Sequence, residues 1–273
     1  MKSFRLAAAA VSVSLCALAG SVSAEVLKAE GRSAAGLSAL VPQLMSKYAA
    51  ENHEIRVNVD QTLTRAALKT ASGSIDIAIT PAGAYHKMTQ GKGPYKKLAD
   101  KAVAASGDMR SLFSFLGGHV HVMTYDDSGV ETWEDLRGKR VFVGPPAGSL
   151  SSQAIALIEA ITGMKPEEDY AAIKLAWSAA NQAFEDGKFD VFMRSGTIGS
   201  VAVDQFRSAK QFRLLGVPEE IIGTPSWAAY RETPGYAADV LPAGTYKNKA
   251  NGDQDVLASA YVMFVGVNKA MGD

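Results

Sequence analysis

A single cysteine, Cys16, occurs in the 273 residues, and it sits inside an apolar run near the N-terminus. A mature chain that starts beyond that run carries no thiol, which excludes a disulfide framework, a cysteine metal site and a thiol nucleophile. An excess of either charge is also missing: 28 basic side chains face 28 acidic ones, with no basic tract. That balance excludes nucleic acid or an anionic membrane as the main partner. No Gly-x-Ser-x-Gly elbow occurs, which weakens a serine hydrolase reading. The loop from Gly144 to Ser149 has no lysine after Gly148, so it is not a nucleotide phosphate loop. Beyond the N-terminal run, no apolar stretch is long enough to cross a bilayer.

What is present starts with Lys2 and Arg5, then apolar residues 6–18, then small residues ending in Val22, Ser23 and Ala24. This is the pattern of a cleavable secretory signal peptide over residues 1–24, and it places the mature protein in the periplasm. Leu15 precedes Cys16 where a lipoprotein site wants a small residue, so soluble export is expected rather than a lipid anchor. The remaining chain is long enough for one large or two modest domains.

After the leader the pattern alternates. Residues 26–30 read as a short strand, and Leu37, Leu40, Val41, Leu44 and Tyr48 recur at helical spacing. Residues 55–59 and 75–79 read as further strands, each followed by a helix, which favours a parallel sheet with ligand contacts at strand C-terminal ends. Residues 91–107 look like a loop, and residues 112–116 and 119–123 like two strands joined by Gly117 and Gly118. A second alternating run begins near Ser128, with a strand at 140–143, a helix from about Ser149, strands at 173–176, 190–193 and 212–215, and a final strand at 260–265. Residues 225–244, with Pro225, Pro234 and Pro242, read as a return connection. Two successive α/β lobes imply a cleft between them.

Candidate site residues lie where strands end. They are Ser33 in the 31–36 loop; Thr62, Thr64 and Arg65; Thr80; Gly148, Ser149 and Ser151 where a helix begins; and Arg194, Ser195 and Thr197. Hydroxyls and free helix-start amides suit an anionic group without a metal. Arg194, leaving a buried strand, can take a carboxylate bidentately, or it is a surface arginine at a strand end. Tyr85 and Trp177 are candidates for an apolar wall. His119 and His121 lie two apart on one strand face, as metal ligands can, but no cysteine or neighbouring histidine completes a set.

An ordered set of phrases resembles the solute-binding proteins of the TAXI branch of TRAP transporters. It comprises residues 73–79 ahead of Thr80, residues 133–144, the Gly148–Ser149 pair, residues 184–192, and Leu-Pro-Ala-Gly-Thr-Tyr at 241–246. The resemblance implies an α/β, two-lobed, type II periplasmic-binding-protein-like fold, each lobe a mixed sheet flanked by helices. Lobe 1 would comprise residues 25–118 plus 245–273, and lobe 2 residues 119–244 including hinge strands. It also implies a monomeric receptor with no catalysis and no cofactor, which closes on a small organic anion or amino acid and delivers it to a TRAP membrane permease. Closure is expected through strands near His119 to Thr124 and the 225–244 return, with Arg194 or Arg65 neutralising a carboxylate. Three departures stand out: Arg32 intrudes in the first loop, Gln61 and Thr62 replace a Gly-Gly pair, and the sequence stops where the family's C-terminal helices begin, so that a truncated chain would have a thinly covered first lobe. The alternatives are an ABC-type receptor for a phosphonate, sulfonate or thiamine precursor, a periplasmic hydrolase or metal-dependent enzyme using His119 and His121, and an adhesin-like surface protein.

Overall fold

The computed structural model describes residues 25–34, 36–49, 53–247, 251 and 254–272. The expected leader, with Cys16, lies outside them. The first alternating run forms as expected: β1 (Glu25–Glu30), α1 (Leu37–Tyr48), β2 (His53–Asn58), α2 (Leu63–Ala71), β3 (Ile77–Pro81) and α3 (Ala82–Thr89). β1 pairs in parallel with both β2 and β3. The face that α1 turns inward is only in part the expected apolar one, with Val41 and Met45 half-buried against the core. Ser38, Ala39 and Pro42 are buried, whereas Leu40, Leu44 and Tyr48 are exposed, Tyr48 by 84%. Small residues win because the helix lies hard against the chain leaving β1: a Cβ on Gly31 would meet the Ser38 carbonyl oxygen at 2.9 Å.

Residues 91–107, expected as loop, instead hold a 3₁₀ turn (Gly93–Leu98) and α4 (Ala99–Ser106), with Ala102 fully buried. Gly91 and Gly93 precede the helix at positive φ and Gly107 ends it, so the glycines punctuate the helix rather than break it. The two strands expected around Gly117 and Gly118 are one, β4 (Met109–Tyr125). The register against the last strand slips between Tyr261 and Val262, leaving Gly117 as the extra residue of a bulge. Gly118 has φ +132°, and a Cβ there would stand 2.5 Å from the Gly196 carbonyl oxygen.

The second run comprises β5 (Arg140–Phe142), α5 (Ser149–Thr162), β6 (Ala171–Ile173), α6 (Trp177–Glu185), β7 (Val191–Gly196), α7 (Val201–Asp204), β8 (Phe212–Leu214), α8 (Pro225–Arg231), β9 (Tyr236–Leu241) and β10 (Val256–Asn268). Residues 225–244 are therefore not an open return: they fold into α8 and β9, and β9 pairs antiparallel with β10. Pro225 takes the first position of α8, where its missing N–H costs nothing.

One sheet results, in the order β2-β1-β3-β10-β4-β7-β5-β6, with β8 on β4 and β9 on β10. β10 and β4 are its long central strands, antiparallel to each other, and they join a first end (β2, β1, β3) to a second end (β7, β5, β6). The second end is packed on an aromatic stack: Phe192 lies 4.9 Å from Phe142 and 5.0 Å from Phe184 between ring centroids, and Tyr125 lies 4.3 Å from Phe184. Each such pair contributes about 0.5–1.5 kcal/mol beyond simple burial.

Candidate ligand-binding cleft

The loops where strands of both ends finish enclose two adjoining pockets, of about 320 and 470 Å³, that share Arg32, Leu63, Ser149 and Leu150. Arg32 stands in the β1–α1 loop. Its N–H donates to the Ser38 hydroxyl at 2.9 Å, and its carbonyl accepts the Asp60 N–H at 3.2 Å, so the loop is tied to α1 and to the chain leaving β2. Its guanidinium reaches across to the second end, with Nη1 donating to Ser195 Oγ at 2.7 Å and Nη2 lying 3.5 Å from the Ser195 carbonyl.

Arg194 comes from β7. Its Nη1 donates to Asn181 Oδ1 on α6 at 2.8 Å. Both guanidiniums stand over the Trp177 indole, Arg32 at 5.4 Å and Arg194 at 5.2 Å from the ring centroid. Such contacts are worth about 0.5–2 kcal/mol each. Trp177 is itself anchored edge-on to Phe142 at 5.5 Å, so the aromatic stack fixes the platform. Burial, and then the charge of Arg32, push the Arg194 guanidinium down to about 10, which still leaves it charged at neutral pH. Neither arginine makes an ion pair among the described residues.

The helix-start corner is also built from both ends. α5 begins at Ser149 behind Gly148, whose side has no capping group, so its first amides stay free. Ala147 has φ +56°, and its carbonyl accepts the Thr64 hydroxyl from α2 at 3.0 Å. The rim at residues 197–200 is held from behind by Tyr246. Its hydroxyl accepts the Ser200 N–H at 3.3 Å and lies 3.2 Å from the Thr197 carbonyl and 2.7 Å from His121 Nε2.

Ser33, Ser149, Arg194, Ser195 and Thr197 therefore line the smaller pocket, and Thr62, Gly148, Ser149 and Trp177 the larger. Ser151 is buried in α5 and lines neither, and Thr64 spends its hydroxyl on Ala147. Arg65 is exposed on α2, away from both pockets. Thr80 is fully buried, because β3 is covered on both sides. Tyr85 faces the far side, donating to the Ser106 carbonyl at 3.0 Å with its ring edge-on to Phe264. Sequence reasoning missed Arg32, which it treated as an intrusion, and the supporting Asn181 and Tyr246. The signal for Tyr246 was its place in the most distinctive phrase of the chain.

His119 and His121 are both buried, with His119 Nε2 2.9 Å from the Asp239 carboxylate and His121 Nε2 on Tyr246. Burial, then the neighbouring His119, push His121 down to about 3, so it is neutral at physiological pH. Among the described residues no group of three or more His, Cys, Asp or Glu could hold a metal ion.

Solved structures share this architecture. The alkanesulfonate-binding protein SsuA from Xanthomonas axonopodis pv. citri, bound to MOPS, matches with TM-score 0.54 and 15% identity over 92% of this chain and 68% of that one. A TRAP periplasmic solute-binding protein from Desulfovibrio desulfuricans, with sn-glycerol-3-phosphate, matches with TM-score 0.52 and 13% identity over 90% and 70%. The periplasmic aliphatic sulphonate binding protein SsuA from Escherichia coli matches with TM-score 0.47 and 19% identity over 71% of this chain. The chain spans 60% of that protein's length. The fold is thus the mixed α/β fold of periplasmic binding proteins, a curled sheet with flanking helices. A sequence profile of the NMT1-like family matches residues 36–273, and the chain belongs to that family.

Proposed function

We propose that this protein is an extracytoplasmic solute-binding receptor, not an enzyme, that captures a small organic anion between the two ends of its sheet and hands it to a membrane permease. The observation that carries the reading is the meeting of Arg32 and Arg194, from opposite ends of the sheet, in a pocket with no acidic side chain in its lining among the described residues. Buried or half-buried guanidiniums need an anionic partner to offset their desolvation, and a ligand supplies it. Matched solved structures are periplasmic binding proteins, and the leader pattern at residues 1–24 supports a periplasmic location here as well. β4 and β10, which join the two ends, serve as hinge strands, with residues 25–118 and 245–273 as one lobe and 119–244 as the other.

The phrases at 133–144 and 241–246 support a TAXI-type TRAP permease as the recipient and a carboxylate or amino acid as the cargo. The sulfonate-binding fold relatives make an ABC importer the second reading. Calorimetry of the purified chain against dicarboxylates, 2-oxo acids, amino acids, alkanesulfonates and phosphonates tests the receptor reading. At least one class should bind, and Arg194→Ala should weaken it by about thirtyfold or more. Binding to none of them would overturn the proposal. Neighbouring genes for a fused TRAP permease or for an ATPase separate the two importers.

A further inference from the structure

The two arginines differ in how they are held. Arg194 is fixed within the second end by Asn181 and the Trp177 platform. Arg32 belongs to the first end, and its guanidinium is bonded to Ser195 of the second, 163 residues away in sequence. Bringing the ends together therefore brings two like charges to one pocket. Among the described residues, the smaller pocket has no other charged residue in its lining, and the acid bordering the larger one, Asp60, makes no ion pair with either arginine. Like charges confined in a partly desolvated space repel more strongly than in water, so the closed arrangement is penalised until an anion enters. The penalty is relieved by the ligand's charge as well as by its shape.

Building on the receptor reading, we infer that Arg32 is a cross-cleft sensor of ligand charge, which makes the cleft close on a compact dianion in preference to a monoanion of the same shape. A single guanidinium on one wall would bind either anion with little discrimination. A second one, delivered only by closure, ties the charge of the ligand to the open–closed equilibrium. Arg32 is thus a specificity-determining residue, and its hydrogen bond to Ser195 is the contact through which the first end reads the second.

The test uses two tetrahedral anions of nearly equal shape, methylphosphonate and methanesulfonate, at mildly alkaline pH where they carry two charges and one. Calorimetry on the full mature chain should find the phosphonate bound at least about tenfold more tightly than the sulfonate. Arg32→Gln should reduce that ratio to less than about threefold, chiefly by weakening the phosphonate. Arg32→Lys, which keeps the charge but loses the planar fork, should preserve most of the preference. A role for Arg32 confined to holding Ser195 would weaken both anions equally in Arg32→Gln, leaving the ratio unchanged, and would overturn the inference. Equal affinities in the wild type, or no binding of either anion while a carboxylate binds, would also overturn it and leave the receptor reading standing. If no anion of any class binds, the receptor reading itself fails.

Discussion

Residues 110–116 and 117–125 belong to the same strand, β4, yet they live in different surroundings. From Gly117 onward every residue is buried, while in the preceding stretch all but the half-buried Phe115 are exposed. The buried stretch runs beside β7 and against the aromatic stack that carries Trp177. The exposed stretch carries Leu112, Phe113 and Leu116, and lies near the bare outer face of α1, where Leu44 and Tyr48 border the same apolar hollow as Phe113. The difference bears on the cleft. Arg194 grows from a densely packed end, so its position is set before any ligand arrives. Arg32 grows from a loop held by Ser38 and Asp60, and its guanidinium is placed by a bond across to Ser195, so its position depends on both ends. One arginine set within its own end and one set by both ends suit the proposed receptor, in which capture is followed by closure.

The comparison breaks most visibly in the core of the second end. Phe192→Ala removes a fully buried ring stacked on Phe142 and Phe184, and should cost about 3–5 kcal/mol in urea denaturation. A cost below about 1 kcal/mol would mean that this end is not the rigid wall. At the junction of the two stretches, Gly118→Ala forces a side chain onto a backbone with φ +132° and against the Gly196 carbonyl. It should cost about 1–3 kcal/mol. Gly138→Ala, in the ordinary left-handed region at φ +72° and with nothing within 4 Å of the new Cβ, adds no contact and should cost only about 1–2 kcal/mol. Equal losses for the two glycines would remove the contact with Gly196 from the account.

Much of this architecture was legible from residue spacing. The alternation through β1 to α3 and the β5–α5 segment followed from periodicity and from where apolar runs end, whereas Arg194 and Ser195, expected in a loop after residue 193, are strand residues of β7 paired with β4. The failures have separate causes. α4 was hidden because an alanine-rich helix without a strong apolar stripe, bounded by glycines, looks like a loop. β4 was split because a glycine pair signals a turn as readily as a bulge, and only the register with β10 decides between them. Thr80 looked available because a polar residue at a strand end is equally suited to burial, and Tyr85, a candidate for an apolar wall, is instead taken up by the Ser106 carbonyl and Phe264, which is a tertiary fact. Arg32 was misread for the opposite reason: its value comes from Ser195 and Trp177, which no local pattern places beside it.

His121 ties the buried half of β4 to pH. Its ionisation is held at about 3 in the folded chain, below the ordinary histidine value near 6.5. The unfolded chain therefore binds the extra proton first as pH falls. Stability from this group is complete above about 6.5 and is lost as pH drops toward 3, by about 1.4 kcal/mol per unit. Denaturant melts should thus show a loss of about 2 kcal/mol between pH 6.5 and 5, where few carboxylates titrate. His121→Gln, which leaves Tyr246 a polar neighbour, should flatten that slope. An unchanged slope in the variant would assign the pH dependence to another group.

The smallest effect belongs to the exposed half. Phe113 is 47% exposed, its ring centroid lies 6.2 Å from that of Phe115, and it borders the hollow beside α1. A little over half of its surface is covered, so Phe113→Ser should cost about 1 kcal/mol or less. The same substitution breaks up an apolar surface that includes Leu112, Leu116, Leu44 and Tyr48, and contiguous patches of this kind drive association. Sedimentation should accordingly show less self-association for Phe113→Ser than for the wild type at equal concentration, with only a small shift in the melt. A loss of 2 kcal/mol or more, about what burial of a large apolar side chain contributes, would show instead that this stretch of β4 is covered in solution. The two halves of the strand would then differ in what covers them, and no longer in whether they are covered.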